Sequence, residues 1–191
     1  MSSYAVRIKG TGPYIQHRYP MPDEIEKFKL WCKTQGIEPD RTDDVESSCY
    51  RNESGAYIPA FHFKKAIVNA GKGEKVAGKG NMTWNNKVKV ALIISPGEIP
   101  FMPVKTTYDF IHEAYVKVGQ ARVLRRRPAY ASGWLADFII DVDSSEVPEV
   151  EVKRFIKKSG RIGIGDNRPE KSGAYGTFEL VTFERLQDAA A

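Results

Sequence analysis

The sequence predicts an α+β fold in which helices pack on an antiparallel sheet. Two segments, residues 4–9 and 134–142, alternate apolar and polar side chains, as a strand with one buried face does. Two others, residues 60–70 and 148–160, repeat apolar residues at the spacing of an amphipathic helix. Strands and helices therefore follow one another along the chain, and an all-α or all-β fold is excluded.

The N-terminal elements are a strand and a helix. Residues 4–9 form the strand, which ends before a Gly/Pro cluster. A helix is predicted over residues 23–35, with Asp23 as its cap and Gly36 at its C-terminal end. Its apolar face holds Ile25, Phe28, Trp31 and Cys32. The polar segment 38–53 is interpreted as a loop.

The middle of the chain contains a helix, a loop and a strand. The apolar approach Tyr57-Ile58-Pro59 leads into a helix over residues 60–70. Four glycines make residues 71–83 a flexible basic loop. Residues 88–94 read as a strand that is buried on both faces. Residues 109–118 fit a short helix or a strand, and the pattern does not decide between them.

The C-terminal third begins with the strand 134–142. Pro148 then suits the first turn of a helix, which Gly160 is expected to end. A glycine-rich loop spans residues 160–176, and residues 175–183 form the last strand. The order of strands and helices is that of a ferredoxin-like (RRM-like) α+β fold.

The length of 191 residues is that of one domain. We expect residues 1–191 to form one domain, with insertions near 71–83 and 104–128. The N-terminal MSSYAVRIKG lacks the apolar core of a signal peptide, and no apolar run could span a bilayer. Cys32 and Cys49 form no metal or disulfide pattern, so we expect two reduced thiols, a cytoplasmic protein and no membrane partner.

Charge is unevenly distributed along the chain. The net charge of +5 and the isoelectric point of about 9.1 favour an anionic partner. Residues 61–90 carry seven lysines and one glutamate, and residues 117–127 carry five cations and no acid. Residues 137–151 are acidic instead. The net charge therefore hides separate basic and acidic stretches.

Aromatic residues accompany the basic stretches. Trp84, Tyr115 and Tyr130 lie in or beside them. In proteins that bind single-stranded nucleic acid, rings stack on bases while Lys and Arg follow the phosphates. We therefore take Trp84 and Tyr130 as stacking candidates. A solvated basic face with core aromatics is the alternative.

The glycine-rich loop, GRIGIGDNRPEKSGAYG, is the most informative segment. Its five glycines lie beside Arg161, Arg168 and Lys171. Backbone N–H groups of glycines can approach a phosphate closely, and arginines can pair with it. The loop matches neither the lysine-bearing phosphate loop nor the dinucleotide fingerprint. The alternative is a tight helix-to-strand connection in which Arg168 pairs with Asp166 or Glu170.

Two segments resemble the RAMP superfamily of CRISPR systems. One is the loop of form G-x-G…G-x-x-G with the strand after it, which contains Tyr175, Gly176 and Phe178. The other is Tyr57-Ile58-Pro59-Ala60-Phe61-His62-Phe63-Lys64-Lys65-Ala66, although the family often has Gly-Ser where this chain has Ala60-Phe61. The chain also resembles phage-borne proteins with a Gly-Asp-x-Arg-Pro loop.

The resemblance implies a ferredoxin-like nucleic-acid-binding protein. It implies a relation either to effector-complex backbone subunits, which associate along their strand, or to metal-independent guide-processing endoribonucleases. Those nucleases often use a histidine with a tyrosine or lysine as acid and base. His62, near Tyr57, Lys64 and Lys65, is the candidate here; a packed or phosphate-contacting histidine is the alternative.

The expected function is non-catalytic binding of single-stranded RNA or DNA, with self-association or effector-complex subunits as further partners. The alternatives are an endoribonuclease that uses His62 and a phage structural or protein-interaction protein. His17, His62 and His112 form no metal pattern, so neither a metal nor a cofactor is expected. The candidate binding residues are Lys64, Lys65, Lys72, Lys75, Lys79, Trp84, Arg122, Arg125, Arg126, Arg127, Tyr130, Arg161, Gly163, Gly165, Arg168 and Lys171.

Overall fold

A computed structural model describes residues 1–36 and 45–187. These residues form strands and helices, and two 3₁₀ turns cover Glu46–Ser48 and Pro169–Lys171. In chain order the elements are β1 (Ser2–Gly10), β2 (Tyr14–Ile15), α1 (Pro22–Thr34), β3 (Arg51–Asn52), β4 (Gly55–Pro59), α2 (Ala60–Ala70), α3 (Trp84–Ala91), β5 (Leu92–Ser95), β6 (Glu98–Met102), β7 (Phe110–Val118), β8 (Ala121–Tyr130), β9 (Leu135–Val142), α4 (Glu149–Ile162) and β10 (Phe178–Arg185).

The main sheet has the strand order β10-β1-β9-β6-β4-β3, and β5 pairs with β9 beside β6. All of its pairings are antiparallel. Along the chain, α2 lies between β1 and β5, and α4 lies between β9 and β10. The ferredoxin-like α+β prediction is therefore confirmed.

One face of this sheet packs against the helices. Alternate residues of β1 and β9, such as Val6 and Phe138, are buried there, as their spacing predicts. The ring of Phe63 on α2 stacks on Phe138 at 4.9 Å between centroids. Phe155 and Ile156 of α4 complete this core. The burial of these apolar side chains is the main favourable contribution to folding.

The other face of the sheet is open. Arg7 and Asp137 form a two-bond ion pair on it, with nitrogen–oxygen distances of 2.8 and 2.6 Å. A shallow depression of about 520 Å³ lies around this pair and is also lined by Ile139, Thr182 and Glu184. No aromatic ring among the described residues is exposed there; Phe138 points into the core.

A second sheet, of order β2-β8-β7, is built on the β7–β8 hairpin. The undecided segment 109–118 is a strand for most of its length, paired with β8 from Phe110–Ala129 to Val118–Ala121. The base of the hairpin joins the rest of the protein through Tyr14–Tyr130 and Ile15–Ala129 pairing with β2. The hairpin occupies most of the region 104–128.

Several predicted boundaries and caps were wrong. The segment 88–94 is helical through Ala91 and only then a strand, because Val88 and Ala91, one helical turn apart, both face the core. The last strand begins at Phe178 and not at residue 175. Asp23 does not cap α1; the Glu24 carboxylate accepts a hydrogen bond of 2.6 Å from the Met21 N–H instead.

The C-terminal end of α1 and the two cysteines match the expectations, but the apolar face of α1 does so only in part. Gly36 follows α1 with a φ of +67°, as a C-terminal glycine does, but Trp31 on the expected apolar face is exposed. Cys32 and Cys49 are free and buried. In the predicted loop 38–53, residues 38–44 lie outside the described residues, and residues 45–53 contain the 3₁₀ turn Glu46–Ser48 and the short strand β3. None of the described helices has the length and hydropathy that a membrane span requires.

Gly160 does not end α4, which continues to Ile162 before Gly163 turns the chain at a φ of +77°. It is required for another reason: a Cβ at this position would overlap the backbone carbonyl oxygen of Phe178. The glycine thus lets α4 lie directly against β10.

Gly160→Ala should therefore destabilise the protein by about 1–3 kcal/mol, the usual cost of overpacking. Urea unfolding measures the free energy. Gly97→Ala is the matched control, because a Cβ there meets no atom within 4 Å. Equal stability of the two variants would contradict the close α4–β10 contact.

Candidate nucleic-acid interface

The glycine-rich loop docks on β2. The Asp166 N–H donates to the Ile15 carbonyl at 3.0 Å, and the Gly176 N–H donates to the Pro13 carbonyl at 2.7 Å. A Cβ on Gly165 would lie 2.5 Å from the Ile15 carbonyl oxygen and 2.6 Å from the Tyr14 ring. Gly165 is thus required by contact with the protein itself.

Gly163 has the same kind of surroundings. A Cβ there would lie 2.9 Å from both the Pro169 ring and the Tyr175 carbonyl oxygen. Both Gly163 and Gly165 have a positive φ, of +77° and +75°. The expectation that these two glycines make room for a phosphate is therefore replaced by the alternative, a tight helix-to-strand connection.

Asp166 joins this loop to the hairpin. Its Oδ2 lies 2.9 Å from the Arg127 Nε and 3.2 Å from the His17 Nδ1. The Asn167 N–H donates to its Oδ1 at 2.9 Å. The hydrogen bond from His17, together with the charge of Arg127, holds the pKa of Asp166 well below its usual range. Asp166 is therefore ionised at neutral pH.

Arg127 and His112 face Asp166 from the hairpin. Arg127 is only 5% exposed, and the register places it opposite His112. The His112 ring meets Tyr175 at 4.9 Å between centroids. Burial, reinforced by the charge of Arg127, lowers the pKa of His112. The buried Arg127 is a structural partner of Asp166 and does not present its charge to solvent.

Arg168 fixes the loop to α2. Its Nη1 donates to the Gly165 carbonyl and its Nε to the Glu170 carboxylate, both at 2.8 Å. Glu170 in turn accepts a hydrogen bond of 2.6 Å from Asn69 on α2. The Arg168–Glu170 pairing considered from the sequence is therefore present, and it leaves the Arg168 side chain only 13% exposed.

His62 lies beside Tyr14 at the start of α2. Its Nδ1 is 2.9 Å from the Tyr14 hydroxyl. Burial first, and then the charges of Arg168 and Lys65, lower its pKa to about 4. Burial also raises the pKa of Tyr14, so both groups are neutral at pH 7. His62 in this state cannot donate a proton as a general acid.

The candidate cations fall into three groups. Lys171 belongs to the docked loop and is exposed, Lys65 is exposed one turn from Asn69 on α2, and Arg125 is half-buried on the hairpin face of Arg127. We call Lys65, Arg125, Arg168 and Lys171 the loop-centred surface. Lys64 also lies on α2, half-buried. The remaining candidates lie farther out, in the segment after α2 (Lys72, Lys75, Lys79), on the last turn of α4 (Arg161) and near the hairpin tip (Arg122).

Three members of the loop-centred surface have no ion-pair partner among the described residues, whereas the fourth, Arg168, is paired with Glu170. Within the described ranges, no carboxylate lies within 4.0 Å of Lys65, Arg125 or Lys171. Arg126, by contrast, pairs with Glu113 at 2.7 Å across the hairpin. Charges without partners remain available to an anionic ligand.

Of the two predicted stacking residues, Tyr130 is in the wrong environment for that role and Trp84 is half-buried. Tyr130 is 0% exposed and stacks on Phe101 at 4.4 Å, because its pairing with Tyr14 turns it into the core. Trp84 is partly buried against Phe155, at 5.9 Å. Tyr130 therefore has no ring face that a base could reach.

Sequence reasoning missed Asp166 as the junction of loop, hairpin and β2. The only indication in the sequence was an aspartate in the glycine-rich loop close to Arg168, but Arg168 is not the arginine that pairs with Asp166. The pairing with Arg127 depends on the hairpin register and has no local signature. No group of three or more His, Cys, Asp or Glu side chains suited to a metal occurs in the described part of the chain.

No protein-family model matches the chain, and no curated protein matches it. Among solved structures, the chain is similar to one in "Cryo-EM structure of the Type III-B Cmr-beta bound to cognate target RNA", with a TM-score of 0.46 and 12% sequence identity. The alignment covers 97% of this chain and 61% of that chain.

Asp166→Asn should cost about 3–5 kcal/mol of stability at pH 7, because it leaves the buried Arg127 charge without a counter-charge. Asp137→Asn is the control and should cost much less, since its partner Arg7 is exposed.

The contribution of Asp166 to stability should also depend on pH. Because the pKa of Asp166 is lower in the folded than in the unfolded state, this contribution is present above about pH 4 and is lost as the pH falls below that value. Urea unfolding at pH 7 and pH 3 measures both effects; an acid-induced loss as large in Asp166→Asn as in wild type would contradict this role.

His62 should make the protein sensitive to milder acid. Its folded-state pKa of about 4 lies below the ordinary 6.5, so stability is lost as pH falls from above 6.5 toward 4. The contribution is on the order of 3 kcal/mol. Urea unfolding at pH 7 and 4.5 should show a smaller loss in His62→Gln than in wild type. Equal losses would contradict the buried neutral state.

Proposed function

We propose that the protein binds single-stranded nucleic acid on the loop-centred surface without cleaving it. The observation that supports this most is that three cations far apart in sequence have no carboxylate partner among the described residues: Lys171 of the docked loop, Lys65 of α2 and Arg125 of the hairpin that packs on the loop. A phosphate backbone is the ligand that such unpaired cations attract, through release of its counterions.

The open sheet face is a poorer site for the same ligand. Its central cation, Arg7, is already paired with Asp137. Glu179, Glu184 and Asp141 add negative charge on or beside this face. Phosphates would be repelled there, and no exposed ring of the described residues offers a stack for a base. The bound single-stranded nucleic acid is therefore proposed to run across the loop-centred surface.

Exposed aromatic character favours a single strand over a duplex. Tyr115 on the β7–β8 hairpin is 72% exposed; it lies with Arg122 on the hairpin face opposite to Arg125, outside the loop-centred surface. A ring of this kind can stack only on a base that is not already stacked and paired within a duplex. The more distant cations on the segment after α2 would then contact phosphates at the ends of the bound segment.

Cleavage is the competing function. His62 lies on α2 with Lys65, but it is mostly buried, hydrogen-bonded to Tyr14 and neutral. These properties favour a packing role. Incubation of labelled RNA with the protein in EDTA should give no product. Metal-independent cleavage that disappears in His62→Ala would replace binding by nuclease activity.

The loop-centred surface should account for the salt dependence of binding. Replacing Lys65, Arg125 and Lys171 together by Ala should reduce the slope of log affinity against log salt by up to about 0.7 per lost phosphate contact. Fluorescence anisotropy with a labelled single strand, measured at several salt concentrations, gives the slope.

The matched control removes three exposed cations elsewhere, Lys9, Lys29 and Lys33, and so changes the net charge equally. It should keep the wild-type slope nearly unchanged. If both triple variants lose the same slope, the protein attracts nucleic acid only through its net charge and the proposed surface is wrong.

A further inference from the structure

Four rings form a cluster where β4 enters α2. Tyr50 lies 5.9 Å from Tyr57, 5.6 Å from His62 and 6.5 Å from Phe61, measured between ring centroids. Phe61 also meets His62 at 4.5 Å with nearly perpendicular rings. Phe61 is the most exposed member, with 57% of its surface open to solvent.

The helix explains why Phe61 points outward. Ala60, Phe63 and Ile67 form the buried stripe of α2, and Phe61 lies on the opposite side of the first turn. Its neighbours Tyr50 and His62 restrict the ring without covering it. The exposed part of this ring contributes little to the stability of the fold, because it is not removed from water.

The surroundings of this ring are cationic. Lys65 lies one turn farther along α2 at the i+4 position, on the same side of the helix as Phe61. Lys65 and Arg168 are both close enough to depress the ionisation of the adjacent His62. Within the described ranges Lys65 has no carboxylate within 4.0 Å. An apolar ring beside an unpaired cation fits a ligand with a flat base and a phosphate.

We propose that Phe61 stacks on one unpaired base of a bound single strand, while Lys65 contacts a neighbouring phosphate. The inference rests on the proposed function and adds to it a specific subsite for the base. It gives the chain a stacking residue in place of Tyr130, whose ring is buried in the core, and one more exposed than Trp84, whose ring packs partly against the core. The interaction is tolerant of base identity, because every base has a flat face.

The test compares two strands of equal length, one with bases and one with abasic sites throughout. Affinity is measured by anisotropy for wild type, Phe61→Leu and Phe61→Trp. Tyr19→Leu is the matched control, since Tyr19 is another highly exposed aromatic residue, 79% open to solvent. Thermal melting of each variant shows that it is folded.

Phe61→Leu should bind the base-containing strand about ten-fold more weakly, the loss expected for one stacked base. It should bind the abasic strand as wild type does, and Phe61→Trp should keep wild-type affinity for both. An unchanged affinity in Phe61→Leu would overturn the inference, and so would an equal loss on both strands. In either case, if the wild-type protein binds the base-containing strand, the proposed function stands. If the wild-type protein binds neither strand, the stacking inference and the proposed function are both overturned.

Discussion

The close approach of the glycine-rich loop to β2 is the constraint on which the rest of the site depends. Gly165 has no room for a side chain because the Ile15 carbonyl and the Tyr14 ring lie against it. Held there, the loop brings Asp166 to Arg127 of the hairpin and Arg168 to Glu170, which reaches α2 through Asn69. Three parts of the chain that are distant in sequence thereby meet around one short segment.

This arrangement divides the arginines and lysines into two kinds. Arg127 and Arg168 are structural: each is largely buried, and each is committed to a carboxylate inside the protein. Lys65, Arg125 and Lys171 lie around them without such partners among the described residues. The structural pairs fix the geometry, and the unpaired cations supply attraction for an anion. On the open sheet face, Asp141, Glu179 and Glu184 add negative charge beside the Arg7–Asp137 pair, so the basic and acidic groups lie on different faces.

The sequence was informative wherever an element buries one regular face. β1, α2 and β9 were predicted closely because their apolar residues recur at a period of 2 or 3.6. The segment of α3 and β5 was misread because a short apolar run fits a buried helix as well as a buried strand. β6 was missed, since Pro100 interrupts its pattern. The burial of Tyr130 and the Arg127–Asp166 pair depend on the pairing of β8 with β2 and on loop docking, which no local pattern encodes. The same tertiary contacts decide which aromatic rings remain exposed.

The most direct test of the central claim is to map where a single strand touches the protein. Ultraviolet crosslinking of a uridine-rich RNA, followed by mass spectrometry of the joined peptides, reports this without any substitution. The account predicts crosslinks in three segments, residues 61–72, 121–127 and 166–172, and none in β1, β9 or β10. Crosslinks concentrated on the open sheet face around Arg7 and Asp137, or the absence of any crosslink at low salt, would contradict it.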